Sequence, residues 1–391
     1  MENVAALRVL RHPEKGIMYM TIKEIREIKK LYNKERCSVS RLCGCYVNAE
    51  KEKVASFSGS LLGMDDSEQF KYLEILKKCL SGSLDKNLFN IDIPLVHERD
   101  GEGYRLLSAM RLSRLGDESV MDEFYDMIIQ NFHHSGNYMI LTTANTYDVP
   151  GRSALGDTMD DASEESYSYF LCAICPVELG KPGLKYSSDD GWFTAIDRDW
   201  IAGAPMAGFM FPAFNDRSTD LHAALLYAGT SDGLQFDLTY NLFGSELPLT
   251  AADKKAAFGT LVSEVYGDAC TPEDLKSIHE TLAAEAEVIK NEPAMDDSLS
   301  RSHMRSILEK SGASDEQMDR FDESFNAVFG DMGDLRIETI YNPRQFIVKS
   351  DSVDLKIDAD RTDLVRFEKI NGTLCAVIEL EGSVEVNGVD L

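Results

Sequence analysis

The segment Phe209-Met-Phe-Pro-Ala-Phe-Asn-Asp-Arg-Ser-Thr-Asp-Leu-His222 sets an apolar run directly before a block of side chains able to bind ligands or move protons. Asn215, Asp216, Arg217, Ser218, Thr219, Asp220 and His222 supply carboxylates, a guanidinium, hydroxyls and an imidazole. Polar clusters at the ends of apolar strands are where α/β proteins often build sites. If Ala224, Leu225 and Tyr227 belong to a helix, Ser218 or Thr219 is its N-cap, and Asp220 lies in the first turn, where the dipole favours a carboxylate. Capping then accounts for Ser218, Thr219 and Asp220 without any function. Asp216, Arg217 and His222 are left over, and an Arg beside free helix N–H groups can hold an anionic ligand. Asp148 faces the same edge if the strand before it is a parallel neighbour, and two carboxylates with a His can alternatively ligate a divalent metal.

Other reactive groupings have simpler readings. Cys37, Cys43 and Cys45 are spaced C-x5-C-x-C, which is poor for structural zinc, and the second close pair, Cys172 and Cys175, lies in an apolar segment. A strand there points the two thiols to opposite faces, so all these cysteines read as core residues. Ser81-Gly-Ser-Leu-Asp-Lys-Asn87 has the residues of a phosphate loop without its spacing, and it follows a helix where a phosphate loop precedes one. His133-His134 reads as a solvated helix C-terminus.

These groups must be positioned by a sizeable fold. The chain has 391 residues, 43% of them hydrophobic, enough for two or three domains with real cores. Against 40 Lys and Arg stand 67 Asp and Glu; the net charge of -27 keeps a protein soluble and disfavours general nucleic-acid binding. No apolar stretch is long enough to cross a bilayer, and charged residues stand where a signal peptide needs its apolar core, so a cytoplasmic protein with free thiols is expected.

Met1 to Tyr19 reads as a flexible extension. Thr21 with Glu24 caps a helix whose Ile22, Ile25, Ile28 and Leu31 share a face. A hairpin follows from Cys43 to Phe57, with Val54 and Phe57 available to a core. Asp65 caps a helix burying Phe70, Leu73, Leu76 and Leu80; Leu88 to Leu95 is an edge strand; Asp117 caps the stripe Val120, Met121, Phe124, Ile128 and Phe132. Tyr138 to Tyr147, Tyr167 to Val177 and Gly208 to Phe214 are strands of a central mixed sheet. Between the first two, the five carboxylates of residues 157–165 read as a solvated loop or helix start. From Thr250 the pattern turns helical, with starts at Thr250, Thr271 and Ser314, and residues 291–302 read as a linker. Beyond Gly333 the period becomes two, and Asn371-Gly372 signals a type I′ hairpin. The expected class is α+β: an α/β core over 20–248, a helical segment over 249–332, and a small antiparallel β unit over 333–391.

Arg41-Leu-Cys-Gly-Cys-Tyr46, Thr146-Tyr-Asp-Val-Pro-Gly151, Cys172-Ala-Ile-Cys-Pro-Val177, Phe211-Pro-Ala-Phe-Asn-Asp-Arg-Ser-Thr-Asp220 and Val384-Glu-Val-Asn-Gly388 resemble a bacterial family, domain of unknown function 4317, found mostly in anaerobic Gram-positive bacteria. The resemblance covers almost all of the chain from about Met20 and implies that Met1 to Tyr19 is an extension or an early start; it implies no activity. The residues themselves therefore lead. They predict a ligand- or partner-binding protein, regulatory or interacting and capable of homo-oligomerising, with its polar site at 215–222; the ligand or cofactor is not specified by sequence. The alternative is a metal-assisted hydrolase of a phosphorylated or nucleotide-like substrate, with Asp148, Asp216, Asp220 and His222 as ligands and Arg217 on the anion.

Overall fold

A computed structural model of the chain describes residues 19–35, 37, 39–152, 158–189, 191–196, 198–230, 233–291, 298–329, 335–386 and 388–390. The expectation for Met1 to Tyr19 falls almost wholly outside them. The chain divides into two compact units, Met1–Pro248 and Leu249–Leu391.

The first unit runs α1 (Ile22–Lys29), β1 (Val39–Val47), β2 (Lys53–Gly59), α2 (Asp66–Lys78), β3 (Leu88–Asp92), α3 (Leu95–Asp100), α4 (Glu102–Ser113), α5 (Glu118–Asn131), β4 (Asn137–Arg152) and β5 (Thr158–Leu179). It continues through β6 (Leu184–Ser187), β7 (Trp192–Ala195), β8 (Trp200–Ala202), β9 (Ala207–Phe211), β10 (Ala213–Asn215), β11 (Ser218–Asp220), β12 (Ala223–Ala228) and α6 (Phe236–Phe243). The main sheet is ordered β2-β1-β4-β5-β9-β12-β3, with β8 also paired to β5. The class is α+β as expected, but the sheet is antiparallel in every one of these pairings rather than mixed. Long hairpins explain this: β4 and β5 join end to end, whereas parallel neighbours need a crossover.

Both faces of the sheet are covered. On β5, Cys172 and Ile174 enter the core built with α4, α5 and α6, while Leu171, Ala173 and Cys175 enter the core built with α1 and α2. The two thiols thus lie on opposite faces, as strand alternation requires. All eight cysteines are free, and burial pushes the Cys172 and Cys175 thiols up to about 12.

Local signals explain much of this unit. Thr21 and Glu24 form a reciprocal capping box on α1, burying Ile25 and Ile28. Asp117 accepts from the backbone N–H groups of Ser119 and Val120 at the start of α5. On α2 the buried stripe runs through Gln69, Leu73 and Leu76, with Leu80 buried just past its end, so Phe70 points out instead of in, and Asp65 makes no capping bond. On the edge strand β2, Val54 and Phe57 are exposed rather than buried; the Phe57 ring lies over its cross-strand partner Gly44, whose absent Cβ leaves it room. The acidic run beyond Asp157 is strand, as the opening of β5, not a loop or helix start.

The second unit holds α7 (Ala251–Tyr266), α8 (Pro272–Asn291), β13 (Ser298–Leu299), α9 (Arg301–Lys310), α10 (Asp315–Phe329), β14 (Leu335–Arg336), α11 (Ile337–Ile340), β15 (Gln345–Lys349), β16 (Asp354–Asp358), β17 (Val365–Ile370), β18 (Thr373–Ile378), β19 (Glu385–Val386) and β20 (Val389–Asp390). Thr250 with Asp253, Thr271 with Asp274 and Ser314 with Gln317 all bond reciprocally at helix starts. Within the expected linker, Leu299 is buried and pairs with Leu335. Leu335, Ile337, Ile340 and Tyr341 share the core of α7 to α10, so the helical and β-rich segments belong to one unit. Asn371 and Gly372 both have positive φ in the β17–β18 turn, as the type I′ signal requires.

Candidate functional site

The residues 215–222 do not open a helix. β10 and β11 form a hairpin in which Ala213 pairs with Asp220, Phe214 with Thr219 and Asn215 with Ser218. Asp216 and Arg217 are its two turn residues, with φ of 48° and 55°. Two positive-φ residues make the turn that suits a tight hairpin, although neither is the Gly or Asn that adopts this conformation most readily. Ala223–Ala228 then forms β12, between β9 and β3, with all six residues buried. The N-cap role expected of Ser218 or Thr219 is therefore absent. An unbroken apolar run of six residues has no period to separate strand from helix, and here both of its faces are covered by the two cores.

The hairpin docks on α1 through the residues that had no structural role in the sequence. The Arg217 N–H donates to Glu24 Oε1 at 3.1 Å, while Glu24 Oε2 completes the Thr21 capping box. The Arg217 guanidinium, largely buried, bonds both oxygens of Glu27 and the Pro150 carbonyl. Tyr147 Oη donates to the same Glu27 at 2.8 Å. Hydrogen bonding to Glu27 raises the Arg217 pKa further, and burial, then Glu27, pushes the Tyr147 phenol up to about 12. Arg217 is thus a satisfied cation joining α1, β4 and the hairpin. Asp216 is exposed at the turn.

The proposed metal set does not assemble. Tyr147 and Val149 face the core under α1, so strand alternation directs Asp148 to the other face, exposed and opposite Ser166. β4 and β9, both antiparallel to β5, end at the same edge of the sheet, and the Arg217 bond to the Pro150 carbonyl ties the hairpin to the end of β4, but the Asp148 side chain lies on the face away from that contact. Among the described residues no group of three or more His, Cys, Asp or Glu is placed to hold a metal ion. Asp220 is occupied locally: one carboxylate oxygen accepts from Asn215 Nδ2 at 2.7 Å and the other from the His222 N–H at 2.9 Å.

His222 leads elsewhere. Its Nδ1 lies 2.6 Å from Glu98 Oε1, and Glu98 lines an open surface cavity of about 650 Å³ over α3 and α4. Arg99, Tyr104, Arg105 and Ser108 contribute to the same lining. Burial, then the Glu98 charge, raises the Tyr104 phenol, and Asp220 adds a smaller push in the same direction. Glu98 and Tyr104 thus lie in the lining of the groove, and His222 reaches it through Glu98. Arg99 and Arg105 are paired with Asp100 and Glu123 on the open surface, where solvent screens such pairs and leaves them weak.

Glu27, Glu98 and Tyr104 were not singled out in the sequence. Glu24 could be placed at its cap from Thr21-x-x-Glu24, but nothing local to Arg217 indicates that a residue 190 positions earlier will neutralise it. α3 and α4 were also missed. Their glycines interrupt the pattern, and Gly103 is there because α4 packs on α6: a Cβ would lie 2.1 Å from the Asn241 carbonyl oxygen.

Among the described residues no helix is long and apolar enough to cross a membrane. The chain belongs to the family described as Domain of unknown function (DUF4317), whose model matches residues 20–389. No curated protein and no solved structure matches it.

Proposed function

We propose that this member of the DUF4317 family is a ligand-binding protein of regulatory or interaction type, which takes a small polar ligand in the α3–α4 groove. The observation that carries the reading is the double role of Glu98, which lines the cavity and holds His222 at 2.6 Å. It ties the part of the 215–222 segment that the hairpin does not consume to an open space. The lining mixes Arg99 and Arg105 with Glu98, Asp100 and Glu102, which suits a ligand bearing both an anionic and a cationic group. Eight free thiols, five of them buried, support a reducing cytoplasmic setting. The net charge of -27 disfavours nucleic acid as the partner.

The test is a thermal-shift screen of the intact protein against free amino acids, dicarboxylates and mononucleotides, run beside Tyr104→Ala and His222→Gln. A ligand at a hundred times its Kd stabilises the native state by about 2.7 kcal/mol, so binding is visible as a rise in Tm. The expected result is one ligand class that stabilises the parent and loses most of its effect in both variants. Equal stabilisation of all three proteins would remove the groove from the reading.

A further inference from the structure

Between β5 and β9 the chain makes an excursion, of which β8 alone pairs with the main sheet, and most of the large apolar side chains of this stretch are exposed. Leu184, Tyr186, Trp192, Phe193, Trp200 and Ile201 are all between 57 and 73% exposed, and Trp192 and Trp200 are the only two tryptophans in the protein. In the β6–β7 hairpin Tyr186 stands opposite Phe193, their ring centroids 5.4 Å apart, and Leu184 continues that face opposite Ala195. Trp192, opposite Ser187, presents to the other face. β8 pairs with β5 from Val177 to Leu179, and among the described residues no strand pairs with its other edge.

Single exposed apolar residues are ordinary, but six large ones on one short excursion, with both tryptophans, have the composition of an interface centre. The open edge of β8 supplies backbone donors and acceptors that an extended chain can satisfy. Charge selects the occupant. At -27 the protein repels a second copy of itself and an anionic bilayer alike, and attracts a cationic chain. We propose that the excursion from Leu184 to Ala202 docks a basic polypeptide segment in extended form, laid along β8 with its apolar side chains against Trp200 and the Tyr186–Phe193 face. This surface is independent of the α3–α4 groove and stands whether or not a ligand binds there.

Because both tryptophans lie in the excursion, the intrinsic fluorescence of the unmodified protein reports on it directly. The probes are three synthetic peptides: one alternating Lys and Val, one alternating Glu and Val, and the Lys-Val sequence with a central Pro that breaks strand pairing. The Lys-Val peptide should shift tryptophan emission to the blue with saturation, the midpoint weakening roughly tenfold between low and moderate salt. The Pro-containing peptide should bind roughly tenfold more weakly, and the Glu-Val peptide should give no shift. Phe193→Asp adds an anion and removes an apolar contact; loss of the response in that variant, its circular dichroism unchanged, separates docking from bulk attraction. The proposal is overturned by an equal response to the Glu-Val peptide, by undiminished binding to Phe193→Asp, or by no response at all. A blue shift produced by raising protein concentration alone would assign the surface to a second copy, and one produced only by phosphatidylcholine vesicles would assign it to a membrane; either result overturns the peptide.

Discussion

Arg217 carries a backbone cost and a side-chain gain at one position. Its φ of 55° costs about 1 kcal/mol for a residue with a Cβ, while its N–H and guanidinium are held by Glu24 and Glu27. Arg217→Gly removes both terms, and the expected net loss of stability is no more than about 1 kcal/mol. Glu24→Ala has no such compensation. It strips the reciprocal half of the Thr21 capping box and leaves the Arg217 N–H without its carboxylate, at a cost of about 2 kcal/mol or more. Calorimetry on the two variants orders them: Glu24→Ala should melt clearly below Arg217→Gly. The reverse order would mean that the hairpin does not depend on α1 for its turn.

At the scale of elements, close approach of α4 to α6 rests on Gly103. Its Cβ would meet Asn241 O at 2.1 Å and Leu242 O at 2.5 Å, both backbone atoms that cannot swing away. Gly103→Ala should therefore destabilise the protein by roughly 3 kcal/mol, at the upper end of overpacking costs. Gly259 in α7 has nothing within 4 Å of the same position, so Gly259→Ala should instead stabilise by up to about 1 kcal/mol through helix propensity. Opposite signs in urea denaturation would separate packing from propensity; equal signs would count against the α4–α6 contact. The same contrast marks what was legible. Elements with local start signals, such as α1, α5 and α7, could be placed from Thr21, Asp117 and Thr250 because a cap and its partner lie three residues apart. β12 could not, because six buried apolar residues carry no period, and α4 could not, because its glycine answers to a helix more than a hundred residues away. The candidate site divides for the same reason. Asn215 to His222 is one block in sequence, but hairpin geometry sends Arg217 to α1 and His222 to α3.

For the whole molecule, acidification has two opposed effects. Protons that neutralise carboxylates lower the self-repulsion of a chain at -27, which favours the compact state. His279 in the second unit works against this. Its ring packs against Tyr341 and Phe346 at centroid distances of 4.9 and 5.0 Å, and its buried Nε2 has no hydrogen-bond partner. Burial lowers its pKa below the ordinary 6.5, opposed by a backbone hydrogen bond at Ala359 and by the Glu280 charge. The sign follows from proton counting: below pH 6.5 the unfolded chain takes up a proton at His279 that the folded chain still refuses. Stability from this residue is therefore intact above that pH and lost as pH falls toward the depressed folded value. Comparing the intact parent with His279→Phe, which keeps an aromatic ring and removes the titration, cancels the carboxylate effect common to both. Urea midpoints measured from pH 7.5 to 5 should fall more steeply for the parent than for the variant, the two curves separating only below about pH 6.5. Parallel curves over the whole range would show that the ring accepts its proton as readily between Tyr341 and Phe346 as it does in water.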